Sequence, residues 1–130
     1  SLTMSAITRI YYNKLVRDNI PDMIRAKRKA CEVVQITDTQ ELQQELLKKI
    51  KEEAASLSSV RTREEFLNEY ADLMIVLNAL MQQLEITPEE VSKAKANNYL
   101  KKGGFKHKYF LKWSEDVTYQ SNESPQGVPI

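Results

Sequence analysis

The amino-acid sequence predicts a mainly α-helical bundle with a small β-hairpin or mini-sheet. Glycine is scarce, at 3 of 130 residues, whereas leucine, lysine, glutamate and glutamine recur in long runs that are typical of helices. The segments Asp38–Glu41, Thr62–Glu65 and Thr87–Glu90 have the spacing of capping boxes, which mark the starts of helices. Apolar residues follow the first two boxes at helical spacing, so each box predicts a long amphipathic helix.

The first helix is predicted from about Ile20 to Lys29. Asp18 or Asn19 can cap it, and Pro21 falls in the first turn, where proline is tolerated.

The next segment, Cys31–Thr37, is rich in β-branched residues and partly alternating, which predicts a short strand. A strand needs a partner, and the candidates are the region around Tyr11 and the run Lys108–Trp113.

The second helix is predicted to run from Asp38 to about Leu57. Its apolar side chains fall within an arc of about 140° on the helical projection. They are Leu42, Leu46, Leu47, Ile50, Ala54 and Leu57. Glu53 lies inside this arc, whereas Glu45 and Glu52 lie outside it. One acidic residue is therefore predicted on the core side.

The third helix is predicted from Thr62 to about Gln83, and its apolar surface covers almost the whole circumference. The main stripe comprises Phe66, Leu67, Tyr70, Leu73, Met74, Leu77, Met81 and Leu84. Val76, Ala79 and Leu80 extend the apolar surface to the side that carries Glu69 and Asp72. Such a helix is normally buried on several sides, so we expect it at the centre of a bundle or at an oligomer interface.

The fourth helix is predicted from Pro88 to Lys101 or Lys102, with Gly103 in the left-handed conformation after its last turn. The run from 105 to 113 alternates enough for an edge strand. Residues 116–130 are mostly polar and are predicted to be a disordered tail, which leaves 1–115 as a single domain.

Glu69 and Asp72 are three residues apart and share one face of their helix. Clustered carboxylates repel one another, and partial burial makes this worse unless a cation lies between them. The pattern predicts a divalent-metal site. The alternative is that the acids of this helix and of the preceding one, Glu52 and Glu53, are ordinary surface residues that pair with Lys48, Lys49 or Lys51.

Four segments, in this order, resemble the MazG-like all-α nucleoside triphosphate pyrophosphohydrolases, particularly the phosphoribosyl-ATP pyrophosphohydrolase-like branch. They are Asn13–Pro21, Leu47–Glu53, Glu69–Leu73 and Lys101–Phe105. The resemblance spans roughly residues 12–110. It implies hydrolysis of a nucleoside triphosphate to the monophosphate and pyrophosphate, with magnesium, or manganese, as the cofactor.

In the family the metal is held by a Glu-Glu-x-x-Glu motif on one helix and a Glu-x-x-Asp motif on the next. The resemblance therefore assigns Glu53, Glu69 and Asp72 as metal ligands. Ser56 stands where the first motif has its third acid. A catalytic base that takes the proton of the attacking water would be Glu52 or Glu53, and the sequence does not choose between them.

The resemblance also implies that basic and amide side chains face the triphosphate. They are Lys95, Asn98, Lys101 and Lys102. Arg17 follows an apolar pair and precedes a helix start, a position that also favours binding of phosphate. For Arg17 the alternative is a pair with Asp18 or Asp22. For the lysines the alternative is a solvated, basic helix end.

The net charge of +1 gives no general sign of a nucleic-acid or membrane partner, and no apolar run approaches the length of a membrane span. The single cysteine, Cys31, fits a cytoplasmic protein. The apolar circumference of the third helix leads us to expect a homo-oligomer, dimer or tetramer, and the family resemblance implies that it clears non-standard or surplus nucleotides. Two alternatives are a nucleic-acid-binding module that uses the basic segment Lys93–Lys112, and a degenerate family member that binds nucleotide without turnover.

Overall fold

The computed structural model describes residues 8–118, which form four helices. They are α1 (Ile20–Ala26), α2 (Thr39–Ser58), α3 (Arg63–Gln83) and α4 (Pro88–Lys102). The prediction of a mainly α-helical fold is confirmed. No helix within 8–118 has both the length and the apolar character needed to cross a membrane.

The chain divides into two compact units, one that ends at Val91 and one that starts at Ser92. The first contains α1, α2 and α3, and the second contains most of α4. A single domain over 1–115 therefore stays a prediction. The predicted disordered tail lies outside the described residues, except for positions 116–118.

Side-chain caps set the starts of the three long helices, as their capping boxes predict. The N–H of Glu41 donates to Asp38 Oδ2 at 2.9 Å at the start of α2, and Thr62 caps α3 in the same way. At α4 the box is reciprocal. The N–H of Glu90 donates to Thr87 Oγ1 at 3.2 Å, and the N–H of Thr87 donates to Glu90 Oε2 at 2.7 Å.

The ends of α1 and α4 are both marked by left-handed backbone conformations. Arg28, with φ of 58°, follows the C-cap of α1, so this helix ends at Ala26 and is shorter than predicted. Gly103, with φ of 74°, follows α4 as predicted, and its N–H donates to the Tyr99 carbonyl at 2.7 Å.

The predicted mini-sheet is wrong within the described residues. Neither Cys31–Thr37, nor the region around Tyr11, nor the run from 105 to 113 forms a strand. β-Branched and aromatic composition favours a strand only where a second strand is available to pair with it. None of the three candidate segments pairs with another, so each is irregular.

Helices α2 and α3 form an antiparallel hairpin, and they are the only helices within 8–118 that pack closely on each other. The Gln83 amide donates to the Thr39 carbonyl at 2.7 Å, which places the end of α3 beside the start of α2. Two helical turns inward from this contact lie Leu46 and Val76, whose exposed fractions are 5% and 4%. The core of the hairpin is centred on these two residues.

The face of α3 that packs on α2 is the flank that carries Val76, rather than its main apolar stripe. Phe66, Leu67 and Tyr70 of that stripe are all exposed by about half, and we call them the exposed stripe. On α2, Leu46 is buried while the adjacent Leu47 is half exposed. The sequence predicts the apolar character of both helices, but the hairpin covers only part of each surface.

Candidate metal and nucleotide site

Three carboxylates converge at the seam between α2 and α3. Glu53, Glu69 and Asp72 each offer one oxygen, and these oxygens all lie within 4.8 Å of one another. Glu53 is two helical turns from Leu46 on α2, and Asp72 is one turn from Val76 on α3. The residues that pack the hairpin therefore also direct these carboxylates toward each other.

The spacing and chemistry of this carboxylate cluster fit a hard divalent ion. Magnesium binds oxygen at about 2.0–2.1 Å in octahedral geometry, so two of its ligand atoms are at most about 4.2 Å apart. Adjacent ligand atoms are about 2.9 Å apart in this geometry, so the carboxylates, whose oxygens lie within 4.8 Å of one another, would draw closer together around the ion. Three carboxylates leave positions for water or phosphate oxygens, as magnesium usually requires.

Desolvation and mutual repulsion both act on the Glu69 carboxyl of the cluster. Loss of solvent around Glu69, followed by the negative charges of Asp72 and Glu53, raises the pKa of the Glu69 carboxyl above its ordinary value of 4.5. A cation bound between the three groups would relieve this repulsion.

A lysine of α2 lies beside the cluster. Lys49 Nζ is 3.4 Å from Glu52 Oε2 and 3.6 Å from Glu53 Oε1, and its side chain is only 11% exposed. The predicted alternative, pairing of these acids with nearby lysines, is thus realised for Lys49. Lys48 points elsewhere and pairs with Glu45 at 3.0 Å.

The segment before α1 supplies two more basic groups. Lys14 Nζ donates to Glu52 Oε1 at 2.6 Å, and this hydrogen bond raises the pKa of Lys14 and lowers the pKa of Glu52. Arg17 Nη1 lies 3.6 Å from Asp72 Oδ1. Of the alternative partners for Arg17, Asp22 instead pairs with Arg25 at 3.4 Å.

These acidic and basic groups line a groove of about 630 Å³. Its charged lining comprises Lys14, Arg17, Asp18, Lys49, Glu52, Glu53 and Asp72. Val16, Ile20 and Met23 add an apolar wall. This volume lies within the range of about 300–1,000 Å³ that is common for small-molecule pockets.

The structure brings together the predicted residues Arg17, Glu52, Glu53, Glu69 and Asp72. Ser56 is exposed on α2, one turn beyond Glu53. The other predicted phosphate contacts are Lys95, Asn98, Lys101 and Lys102. These four are exposed residues of α4 in the second unit, and their role stays a prediction.

Lys14 and Lys49 belong to the groove although neither was assigned a functional role from the sequence. For Lys49 a local signal exists, because it precedes Glu52 and Glu53 by three and four residues on one helix. For Lys14 no such signal exists, since its partner Glu52 is 38 residues away.

Comparison with known proteins agrees with this arrangement of helices and acids. Searches among curated proteins and among solved structures gave no significant match. The family model described as phosphoribosyl-ATP pyrophosphohydrolase matches residues 22–97, which is more than half of the chain and includes Glu53, Glu69 and Asp72. The chain therefore belongs to the phosphoribosyl-ATP pyrophosphohydrolase family.

Proposed function

We propose that this protein is a metal-dependent nucleoside triphosphate pyrophosphohydrolase, which converts a nucleoside triphosphate and water to the monophosphate and pyrophosphate. The observation that carries the proposal is the convergence of Glu53, Glu69 and Asp72 within 4.8 Å. Two of them, Glu53 and Asp72, line a groove that also contains basic side chains. Membership of a pyrophosphohydrolase family supports the reaction class.

Glu53, Glu69 and Asp72 would hold magnesium or manganese. The metal would neutralise phosphate charge, polarise phosphorus and lower the pKa of the attacking water. Lys14 and Arg17 line the same groove and would attract the negatively charged phosphates into it.

Of the two candidate bases, we assign proton transfer to Glu52. It lies outside the proposed metal-binding set, whereas Glu53 would be occupied as a ligand. The hydrogen bond from Lys14 lowers the pKa of the Glu52 carboxyl, which keeps the group ionised at neutral pH but also makes it a weaker base, so the assignment rests on position rather than on basicity. Lys14 and Lys49, at 2.6 and 3.4 Å, would hold this carboxylate in place.

We propose non-standard or surplus nucleoside triphosphates as the substrates. The decisive assay measures pyrophosphate release from a panel of nucleoside triphosphates and phosphoribosyl-ATP, with magnesium, with manganese and with chelator. We expect activity on at least one compound, only with metal, and formation of the monophosphate. If folded protein with metal present releases no pyrophosphate from any compound of the panel, the proposal is contradicted.

Site variants connect this activity to the carboxylate cluster. Glu69→Gln and Asp72→Asn should each lower turnover by more than about 100-fold, because even residues one shell beyond a metal typically contribute about 10–100-fold. Glu64→Gln is the matched control, since Glu64 is an exposed glutamate in the first turn of the same helix. If Glu69→Gln and Glu64→Gln are equally active, the carboxylate cluster is not the site of hydrolysis.

We further propose that the functional form is a homo-oligomer, either a dimer or a tetramer. The exposed stripe of α3 and the small hairpin core leave more apolar surface uncovered than a stable soluble domain usually shows. Light scattering coupled to size exclusion should give a mass of two or four chains. A monomer at micromolar concentration would contradict this proposal.

The alternative of a nucleic-acid-binding module predicts a different outcome. All residues from Lys93 to Lys112 are exposed, and seven of them are lysines with no acidic residue among them. Strongly salt-dependent binding of DNA or RNA, with no pyrophosphate release from any nucleotide, would favour that alternative.

A further inference from the structure

We propose that Lys49 is a built-in counter-charge, which weakens the binding of a divalent metal alone and thereby makes metal and nucleotide bind together. This inference rests on the proposed function for the identity of the two ligands. It concerns the order in which they bind rather than the reaction that follows.

Lys49 is held at the metal ligands by geometry. Its Nζ lies 3.6 Å from Glu53 Oε1 and 3.4 Å from Glu52 Oε2, the spacing of pairs one helical turn apart. The side chain of Lys49 is 11% exposed, whereas that of Lys48, its neighbour in sequence, is 72% exposed. The exposed Lys48 side chain can change rotamer freely. Lys49 can move its ammonium group away from Glu53 only if the buried aliphatic part of its side chain leaves its present packing.

A metal ion that binds Glu53 must therefore approach a fixed positive charge. Repulsion between a divalent ion and an ammonium a few ångström apart is substantial in a partly desolvated site. Arg17 adds a second cation on the opposite wall, 3.6 Å from Asp72, although it is about half exposed and free to reorient.

The triphosphate reverses this balance because it carries several negative charges. Its oxygens can bind the metal and accept hydrogen bonds from Lys49 at the same time, so the ammonium changes from a competitor into a partner. Each ligand then increases the affinity for the other, and this coupling is reciprocal. The groove would select the metal–nucleotide complex over either component.

The test measures Mn²⁺ binding to the full chain by the loss of the free-ion signal in electron paramagnetic resonance. Wild type is compared with Lys49→Gln, Lys49→Arg, Lys48→Gln and Glu69→Gln, each without nucleotide and with a non-hydrolysable α,β-methylene triphosphate. A titration of the analogue without protein corrects for the Mn²⁺ that binds to the analogue in solution. Circular dichroism confirms that every variant is folded.

Without nucleotide, we expect Lys49→Gln to bind Mn²⁺ about tenfold more tightly than wild type, within the usual range of coupling between two sites. Lys49→Arg keeps the charge and should resemble wild type, as should Lys48→Gln. With the analogue, the advantage of Lys49→Gln should disappear or reverse.

Equal or weaker Mn²⁺ binding by Lys49→Gln in the absence of nucleotide would overturn the inference, because Lys49 would then only position Glu53. An equal increase in Mn²⁺ affinity in Lys48→Gln would also overturn it, since the effect would then come from the net charge of the protein and not from the position of Lys49. Failure of the proposed function has a separate signature. In that case Glu69→Gln would leave wild-type Mn²⁺ affinity unchanged in either condition.

Discussion

Two adjacent leucines of α2 provide a sharp test of how the hairpin is packed. Leu46 is 5% exposed and Leu47 is 50% exposed. Substitution by alanine removes three carbon atoms, and each buried methylene contributes about 0.8 kcal/mol. Leu46→Ala should therefore lower the free energy of unfolding by about 2.4 kcal/mol, with a further loss if a cavity remains. In a single chain, Leu47→Ala should cost about half as much, close to 1.2 kcal/mol.

Urea denaturation followed by circular dichroism measures both variants, at two protein concentrations. If a second copy covers this face, Leu47→Ala will cost about as much as Leu46→Ala, and its unfolding midpoint will depend on concentration. A loss below about 1 kcal/mol for Leu46→Ala would refute the packing described for the hairpin. A small loss for Leu47→Ala that is independent of concentration would refute an oligomer interface at Leu47.

Three further predictions concern the groove. Repulsion and desolvation raise the pKa of Glu69 in the folded chain, so its ionised form opposes folding. Glu69→Gln should raise the thermal midpoint of the metal-free protein at neutral pH, and the gain should vanish below pH 4.5, where Glu69 is protonated in both states. Lys14 lowers the pKa of Glu52, so Lys14→Met should move the acidic limb of the pH–rate profile to higher pH; an unmoved limb would exclude Glu52 as the base. Ser56→Glu places a fourth carboxylate one turn from Glu53 and should strengthen Mn²⁺ binding several-fold in titrations. If it also raises a barely detectable turnover, the natural chain is a degenerate member.

The parts of the fold that the sequence predicts well are those determined by local interactions. The start of α4 follows from Thr87 and Glu90, which bond to each other across one turn. The proximity of Glu69 and Asp72 likewise follows from their helical spacing, and the position of Glu53 follows from its place on the apolar arc of α2. Each of these features depends on residues within one helix and its cap.

The features that the sequence did not predict depend on distant contacts. Lys14 and Glu52 are 38 residues apart, and no pattern in either segment indicates that they pair. The apolar surface of α3 is wider than one neighbouring helix can cover, so periodicity alone does not tell whether Val76 or Tyr70 faces α2. The mini-sheet fails for the same reason, because strand pairing is a property of two segments.

The location of the carboxylate cluster connects the stability of the hairpin to its chemistry. Glu53 occupies the packing face of α2, two turns from Leu46, where an apolar side chain would add to a core that is unusually small. A ligand present at 100 times its dissociation constant stabilises the folded state by about 2.7 kcal/mol. That is close to the contribution of about 2.4 kcal/mol assigned to Leu46. A metal bound by Glu53, Glu69 and Asp72 would thus join α2 to α3 about as strongly as the main apolar contact does. Repulsion within the acidic cluster would weaken the metal-free hairpin, and a bound metal–nucleotide complex would then stabilise the folded protein through the same residues.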